Sequence, residues 1–172
     1  MAIVCECTVG AIAAFCGGVN APGLDLSLAI TCQDELLSIP APGADTHTIS
    51  TNITYRAAAP PITAGKFYQW FFSKQNSSYE SERDENGLWK TTVKIFVPKL
   101  QAEKTYVFNG LTGENLVTVV PDKNGEKRVI GSLTNGAMVS VKEVTNPKNG
   151  YEVTITWESA HAPYYYTGTL TY

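Results

Sequence analysis

Residues 115–157, NLVTVVPDKNGEKRVIGSLTNGAMVSVKEVTNPKNGYEVTITW, decide the fold class, because short β-branched runs alternate there with residues that reverse a chain. Asn115 to Val120 and Lys127 to Leu133 flank Asp122-Lys123-Asn124-Gly125, whose glycine supplies the positive φ that a tight reversal needs. A second reversal at Asn135-Gly136 leads into Met138 to Val144, and a third at Asn146 to Gly150 leads into Tyr151 to Trp157. In that run Val153, Ile155 and Trp157 alternate with Thr and Glu, the period of a strand with one face in a core. Successive antiparallel hairpins are the prediction.

Upstream, Leu24, Leu26, Leu28 and Ile30 fall on one face of a half-buried strand over 24–31, and Thr46 to Tyr55 reads as a second strand carrying Ile49, Ile53 and Tyr55. Lys66 to Ser73 packs five aromatic rings into eight residues, which predicts a strand buried on both faces or one that meets a neighbouring subunit. The polar run Lys74 to Gly87 reads as a loop or protruding hairpin, and Leu88 to Val97 as a long strand with Trp89, Val93, Ile95 and Val97 on one face. Pro98 suits the first turn of a helix, where its missing N–H has no partner to lose, and Asn109-Gly110 offers a left-handed cap for its end. Leu100, Val107, Phe108 and Leu111 give that helix an apolar stripe with Lys104 along its edge. Tyr164 to Tyr172 is expected as a closing strand. The sum is a mostly β chain, a β-sandwich or barrel of about nine antiparallel strands with one short α-helix inserted. Residues 1–23, rich in Gly, Ala and Cys, form an N-terminal arm, and residues 24–172 the β-sandwich domain.

A chain of 172 residues fits one domain plus an extension. Charged residues make up 17%, below the usual share of about 25%, so Ser, Thr, Asn and Gly or a partner must cover much of the surface. A net charge of −3 leaves no basic footprint for nucleic acid. Charge is also uneven: no Lys or Arg precedes Arg56, whereas all thirteen basic residues lie from there onward. Opposite potentials on two faces would steer subunits into register; a solvated surface with chance asymmetry reads equally well.

All four cysteines, Cys5, Cys7, Cys16 and Cys32, lie in the first 32 residues. Their spacing is not that of a zinc knuckle, and neither His47 nor His161 sits at finger spacing, so no metal site is expected. A disulfide within the arm and plain small buried hydrophobes remain the two readings. The apolar stretch Thr8 to Cys16 has no positive segment before it and is too short to span a bilayer, so a soluble product made in the cytoplasm, with no membrane anchor, is expected.

No nucleophile elbow, zinc-protease helix, phosphate loop or dinucleotide fingerprint occurs, so no catalytic residue is assigned, no cofactor is called for and the chain reads as a non-enzyme. The carboxylates Glu80, Glu82, Asp84 and Glu85 could in principle serve glycoside hydrolysis, but Arg83 interrupts them within a polar loop. The aromatic residues Phe67, Tyr68, Trp70, Phe72, Tyr164, Tyr165 and Tyr166 could stack on sugars or bases; they are equally the anchors of a self-association interface.

The succession Glu82 to Trp89, Lys94 to Lys99, Val117 to Val120 with Asp122-Lys123-Asn124-Gly125, Ile130-Gly131-Ser132, Asn149-Gly150-Tyr151 and Ala162-Pro163-Tyr164-Tyr165-Tyr166 resembles virion proteins of phages and prophages of Bacteroidetes bacteria. The resemblance covers roughly residues 24–170. Within that group the order of strands, one helix and then hairpins is similar to tail-tube proteins. That likeness implies a virion subunit, assembled in the host cytoplasm into homo-oligomeric, hexameric rings that stack around a channel through which DNA is ejected. Its partners would be other virion proteins, with non-specific proximity to packaged DNA. It further implies inter-ring contacts from the N-terminal arm and from Ser77, Glu80, Glu82, Arg83 and Asp84. Lumen-facing acids would come from Glu114, Asp122, Glu126, Glu143, Glu152 and Glu158, among which Lys123, Lys127, Arg128, Lys142 and Lys148 intervene. A capsid decoration or head-fibre protein and a host-surface carbohydrate-binding module are the alternatives.

Overall fold

A computed structural model describes residues 23–60, 63–111 and 116–172. Its strands are β1 (Ser27–Cys32), β2 (Leu36–Ser38), β3 (Thr48–Ile49), β4 (Thr54–Tyr55), β5 (Tyr68–Phe71), β6 (Ser73–Arg83) and β7 (Trp89–Pro98). After the helix α1 (Ala102–Asn109) come β8 (Leu116–Pro121), β9 (Lys127–Ile130), β10 (Met138–Val144), β11 (Gly150–Ser159) and β12 (Tyr164–Tyr166). They form a six-stranded sheet in the order β3-β12-β9-β8-β1-β5, a four-stranded sheet in the order β10-β11-β7-β6, and the small pair β2-β4. No sheet closes into a barrel among the described residues, and the fold is mostly β and sandwich-like.

Two of the three expected reversals make hairpins, β8–β9 and β10–β11; the one at Asn135-Gly136 instead carries the chain from one sheet to the other, since β9 and β10 do not pair. Thr118 faces Ile130 and Val120 faces Arg128 across the β8–β9 turn, and Val139 faces Ile155 across the β10–β11 turn. β9 stops at Ile130 because Gly131 takes φ +94 and turns the chain out of the ladder. Pairing is antiparallel except between β12 and β3, where Tyr166 lies beside Ile49 in parallel register.

The principal core lies between the two large sheets. Leu28 and Ile30 of β1, Leu116 and Val120 of β8 and Ile130 of β9 meet Val93, Ile95, Val153, Ile155 and Trp157 of the four-stranded sheet. Burying each such side chain contributes roughly 1.5–3 kcal/mol before entropy is counted. A second core, built on Ala29, Val117, Val119 and Val129, lies on the opposite face of the six-stranded sheet and is closed by Ile49, Ile53, Phe67 and Tyr166. β1 and β8 are therefore buried on both faces.

Several expectations need correction. Leu26 does not share the buried face of β1; it precedes the strand and is exposed. Thr46 to Tyr55 is not one strand but two short ones, β3 and β4, which enter different sheets. The aromatic run is not buried throughout: Phe67 and Phe72 at its two ends enter opposite cores, but β5 itself is the end strand of its sheet and leaves Tyr68 and Phe71 exposed. Of the two readings of residues 74–87 the hairpin holds and the loop does not: residues 74–83 belong to β6, held by its register against β7 across the turn at Asp84 to Leu88. The helix begins at Ala102, not Pro98, since Pro98 still pairs with Gly150 at the end of β7. Gly110 caps it at φ −77, a right-handed conformation, so the left-handed cap is absent. The closing strand is only Tyr164–Tyr166; residues 167–172 run as an irregular strap, with Phe67 N–H donating to Thr171 O at 2.8 Å.

Candidate functional site

The aromatic residues of the β5 run divide by position. Phe67 closes the second core and Phe72 enters the first, so both are buried structural side chains rather than exposed anchors, as is Tyr166. Trp70 is half-buried, edge-on to Phe108 of α1 at 5.3 Å between ring centroids. Tyr68 is 45% exposed and Phe71 64%, so Phe71 presents the most open ring of the run. An apolar groove of about 430 Å³ runs between β5 and α1, lined by Trp70, Phe71, Val97, Pro98, Val107 and Phe108. Lys104 at its rim is turned back onto the strand end, donating to Pro98 O at 2.6 Å.

α1 is held to the four-stranded sheet by a polar relay. Gln101 N–H donates to the Tyr151 hydroxyl at 3.1 Å, which lies 2.7 Å from Thr105 Oγ1, and Thr105 donates to Glu143 at 3.1 Å. Glu143 is thereby engaged with the helix, on the Tyr151 side of β10.

The candidate lumen acids do not gather on one surface. Glu152 and Glu158 lie on the outer face of the four-stranded sheet, pairing with Lys142 at 4.0 Å and Lys90 at 3.8 Å. Asp122 and Glu126 belong to the β8–β9 turn, and Asp122 Oδ1 accepts the N–H groups of Asn124 and Glu126. Glu114 lies outside the described residues. What the outer face does present is a polar field: Glu80, Glu82, Lys90, Thr92, Lys94, Lys142, Glu152, Thr154, Thr156 and Glu158 are cross-strand neighbours there. Four acids face three lysines, so the face is nearly charge-balanced, and its exposed ion pairs add little to stability.

The candidate loop residues also have settled places. Ser77, Glu80 and Glu82 are on β6, an outer strand of the sheet, and Arg83 is its last residue. Asp84 organises the tip, its Oδ1 accepting Asn86 N–H and Leu88 N–H, both at 2.9 Å. The protrusion is a short, internally bonded hairpin tip.

Tyr164 and Tyr165 point to opposite faces of β12. Tyr164 stacks on His161 at 4.2 Å, with His47 on its other neighbour position at 4.6 Å and Trp157 beyond His161 at 5.7 Å. Tyr165 meets Arg128, whose guanidinium lies 4.8 Å from that ring and 5.1 Å from Tyr79 of β6. Burial alone would pull the Arg128 pKa down, but its bonds to Tyr165 and Asp122 outweigh that and leave it raised. Tyr79 is itself pushed up, chiefly by burial. This cluster ties β6 to β9 and β12 across the two sheets.

Cys5, Cys7 and Cys16 lie outside the described residues. Cys32 is a half-buried free thiol packed beside the principal core, its pKa raised first by burial and then by Asp34 and Glu35. Among the described residues no group of three His, Cys, Asp or Glu side chains could hold a metal ion, and no helix is long and apolar enough to cross a membrane.

No protein-family model matches the chain, and no curated protein and no solved structure matches it.

Proposed function

We propose that this chain is a non-catalytic virion structural protein that assembles with copies of itself, and specifically a tail-tube subunit forming stacked hexameric rings around a DNA channel. One observation carries the reading beyond the sequence resemblance: the four-stranded sheet ends on β6 and β10, which have no further strand beside them among the described residues, and its outer face is polar. β6 is 11 residues long and β10 seven, enough for edge-to-edge pairing between copies. A strand edge left open invites uncontrolled pairing, and closing it against the next copy in a ring removes that hazard. A wetted, nearly charge-balanced inner wall would let DNA pass without strong adhesion, since long-range attraction to phosphates needs a net positive face.

Size-exclusion chromatography with negative-stain imaging of the purified chain tests the proposal. Rings or tubes with a central channel are expected. A strictly monomeric species at high concentration would overturn it, and closed trimers without a channel would favour a capsid-surface role.

A further inference from the structure

The two edges of the four-stranded sheet differ in charge. Along the polar outer face β6 presents Ser78, Glu80 and Glu82, whereas β10 presents Met138, Ser140 and Lys142. Within its own sheet Glu80 faces Thr92 rather than a lysine, and Lys142 meets Glu152 at a distance of 4.0 Å, with 76% of its side chain exposed. β11 and β7 lie between these edges, so β6 and β10 of a single copy cannot pair with each other. Pairing β6 with β6 would set Glu80 and Glu82 against the same acids, which destabilises a ladder, whereas β6 against β10 sets opposite charges across it.

Ring closure limits both the direction and the stagger of such a seam. A rotation about the channel axis carries every strand onto one of the same direction, and β10, β11, β7 and β6 alternate, so β6 meets β10 of the next copy antiparallel. Across one copy Met138, Thr156, Thr92 and Glu80 lie on one row perpendicular to the strands. Strands of closed barrels tilt by roughly 35–45°, so four of them, about 4.8 Å apart, displace the next row by about 13–19 Å, or roughly four to just under six residues. Only an even displacement keeps outward side chains outward, which leaves about four. In one sense that displacement sets β10 against residues 70–76, where the register of β6 breaks between Ser73 and Ser78. In the other it sets Val139 to Val144 against the evenly paired stretch Ser78 to Arg83, with Lys142 opposite Glu80.

We propose that Lys142 of one copy pairs with Glu80 of the next across an antiparallel β10–β6 seam, with Ser140 opposite Glu82. The pairing rests on the ring reading and gives its interface a register.

Both side chains are exposed, so Lys142→Glu and Glu80→Lys spare the cores, and circular dichroism checks that each variant folds. Each alone should raise the concentration needed for assembly about fivefold in sedimentation. The double variant restores an opposite pair at every seam and should return that concentration to the parent value. Chains carrying Lys142→Cys and Glu80→Cys together should give, on mild oxidation, a covalent ladder of oligomers beyond any product of the single variants. Lys142→Cys with Ser78→Cys, two positions out of register, should not. A double charge variant that fails to recover, or a stronger ladder from the Ser78→Cys pair, overturns the register. Imaging separates the two readings. Rings without the ladder leave the tube standing and sink only this seam, a ladder of open chains keeps the seam and sinks the tube, and a monomer at high concentration sinks both.

Discussion

Arg128 Nη1 donates to Asp122 Oδ2 at 3.1 Å, and both side chains are largely withdrawn from solvent. The same carboxylate organises the β8–β9 turn through its other oxygen, so one residue holds a hairpin and neutralises a cation caught between Tyr79 and Tyr165. Asp122→Ala should therefore cost more than a surface ion pair, roughly 2–3 kcal/mol, because it leaves Arg128 half-buried without its acid. Urea unfolding of the variant checks this. A loss below about 0.5 kcal/mol would place the pair among ordinary exposed ones.

Thr118 lies at the centre of the six-stranded sheet with its hydroxyl fully buried and without a hydrogen-bond partner. Thr118→Val removes that unsatisfied group at nearly constant shape and should stabilise the fold by about 1 kcal/mol, raising Tm by about 2–4 °C. Thr31→Val should do the reverse by a similar amount, since the Thr31 hydroxyl donates to Lys66 O at 2.7 Å. Calorimetry of the pair reads both signs; the same sign in both would defeat the argument.

Gly131 and Gly125 both have positive φ but differ in surroundings. A β-carbon on Gly131 would collide with the carbonyl oxygen of Leu116, whereas one on Gly125 would meet nothing within 4 Å. Gly125→Ala should cost about 1 kcal/mol, the backbone penalty alone, and Gly131→Ala roughly 3 kcal/mol or more as the β8 edge is displaced. Denaturant midpoints measured side by side would rank them.

Alkaline pH should weaken the fold. Tyr79 and Tyr166 have pKa values raised above 10.0, chiefly by burial, so the unfolded chain releases these protons first. Stability from this source is full below pH 10 and falls as pH rises through the window between the unfolded and folded values. Unfolding in urea from about pH 9 to 11.5 should show that decline, and Tyr79→Phe should make it shallower while keeping a ring beside Arg128. An unchanged slope would mean Tyr79 ionises alike in both states.

The parts of this fold that could be read from the sequence are those set by neighbours along the chain. Asp122 to Gly125 and Asn146 to Gly150 carry their own turn chemistry, and β7 and β11 show their buried faces as alternation. β6 could not be read in that way. Its polar sequence places few apolar side chains inward, and its strand form comes from pairing with β7, a partner beyond the turn. Phe67, Phe71 and Phe72 are alike as letters, yet two are core and one is open, because which face counts depends on β5 lying at a sheet end. Pro98 suits a helix start or a strand end equally, and pairing with Gly150 settles it. The acids Asp122, Glu143 and Glu158 looked equivalent for the same reason, and tertiary placement separates them into a turn, a helix contact and an outer face.

The strap at residues 167–172 bears on when the molecule becomes competent during synthesis. Ile53 N–H reaches the Tyr166 hydroxyl across 113 positions, and Thr169 N–H reaches Asn52 across 117. Contacts of that separation pay their loop-closure entropy late. On a ribosome the β6–β7 hairpin can form as soon as residue 98 emerges, but the second core stays unsealed until residues 166–171 follow. A nascent chain therefore leaves Phe67 and the second core unsealed until translation has passed the strap.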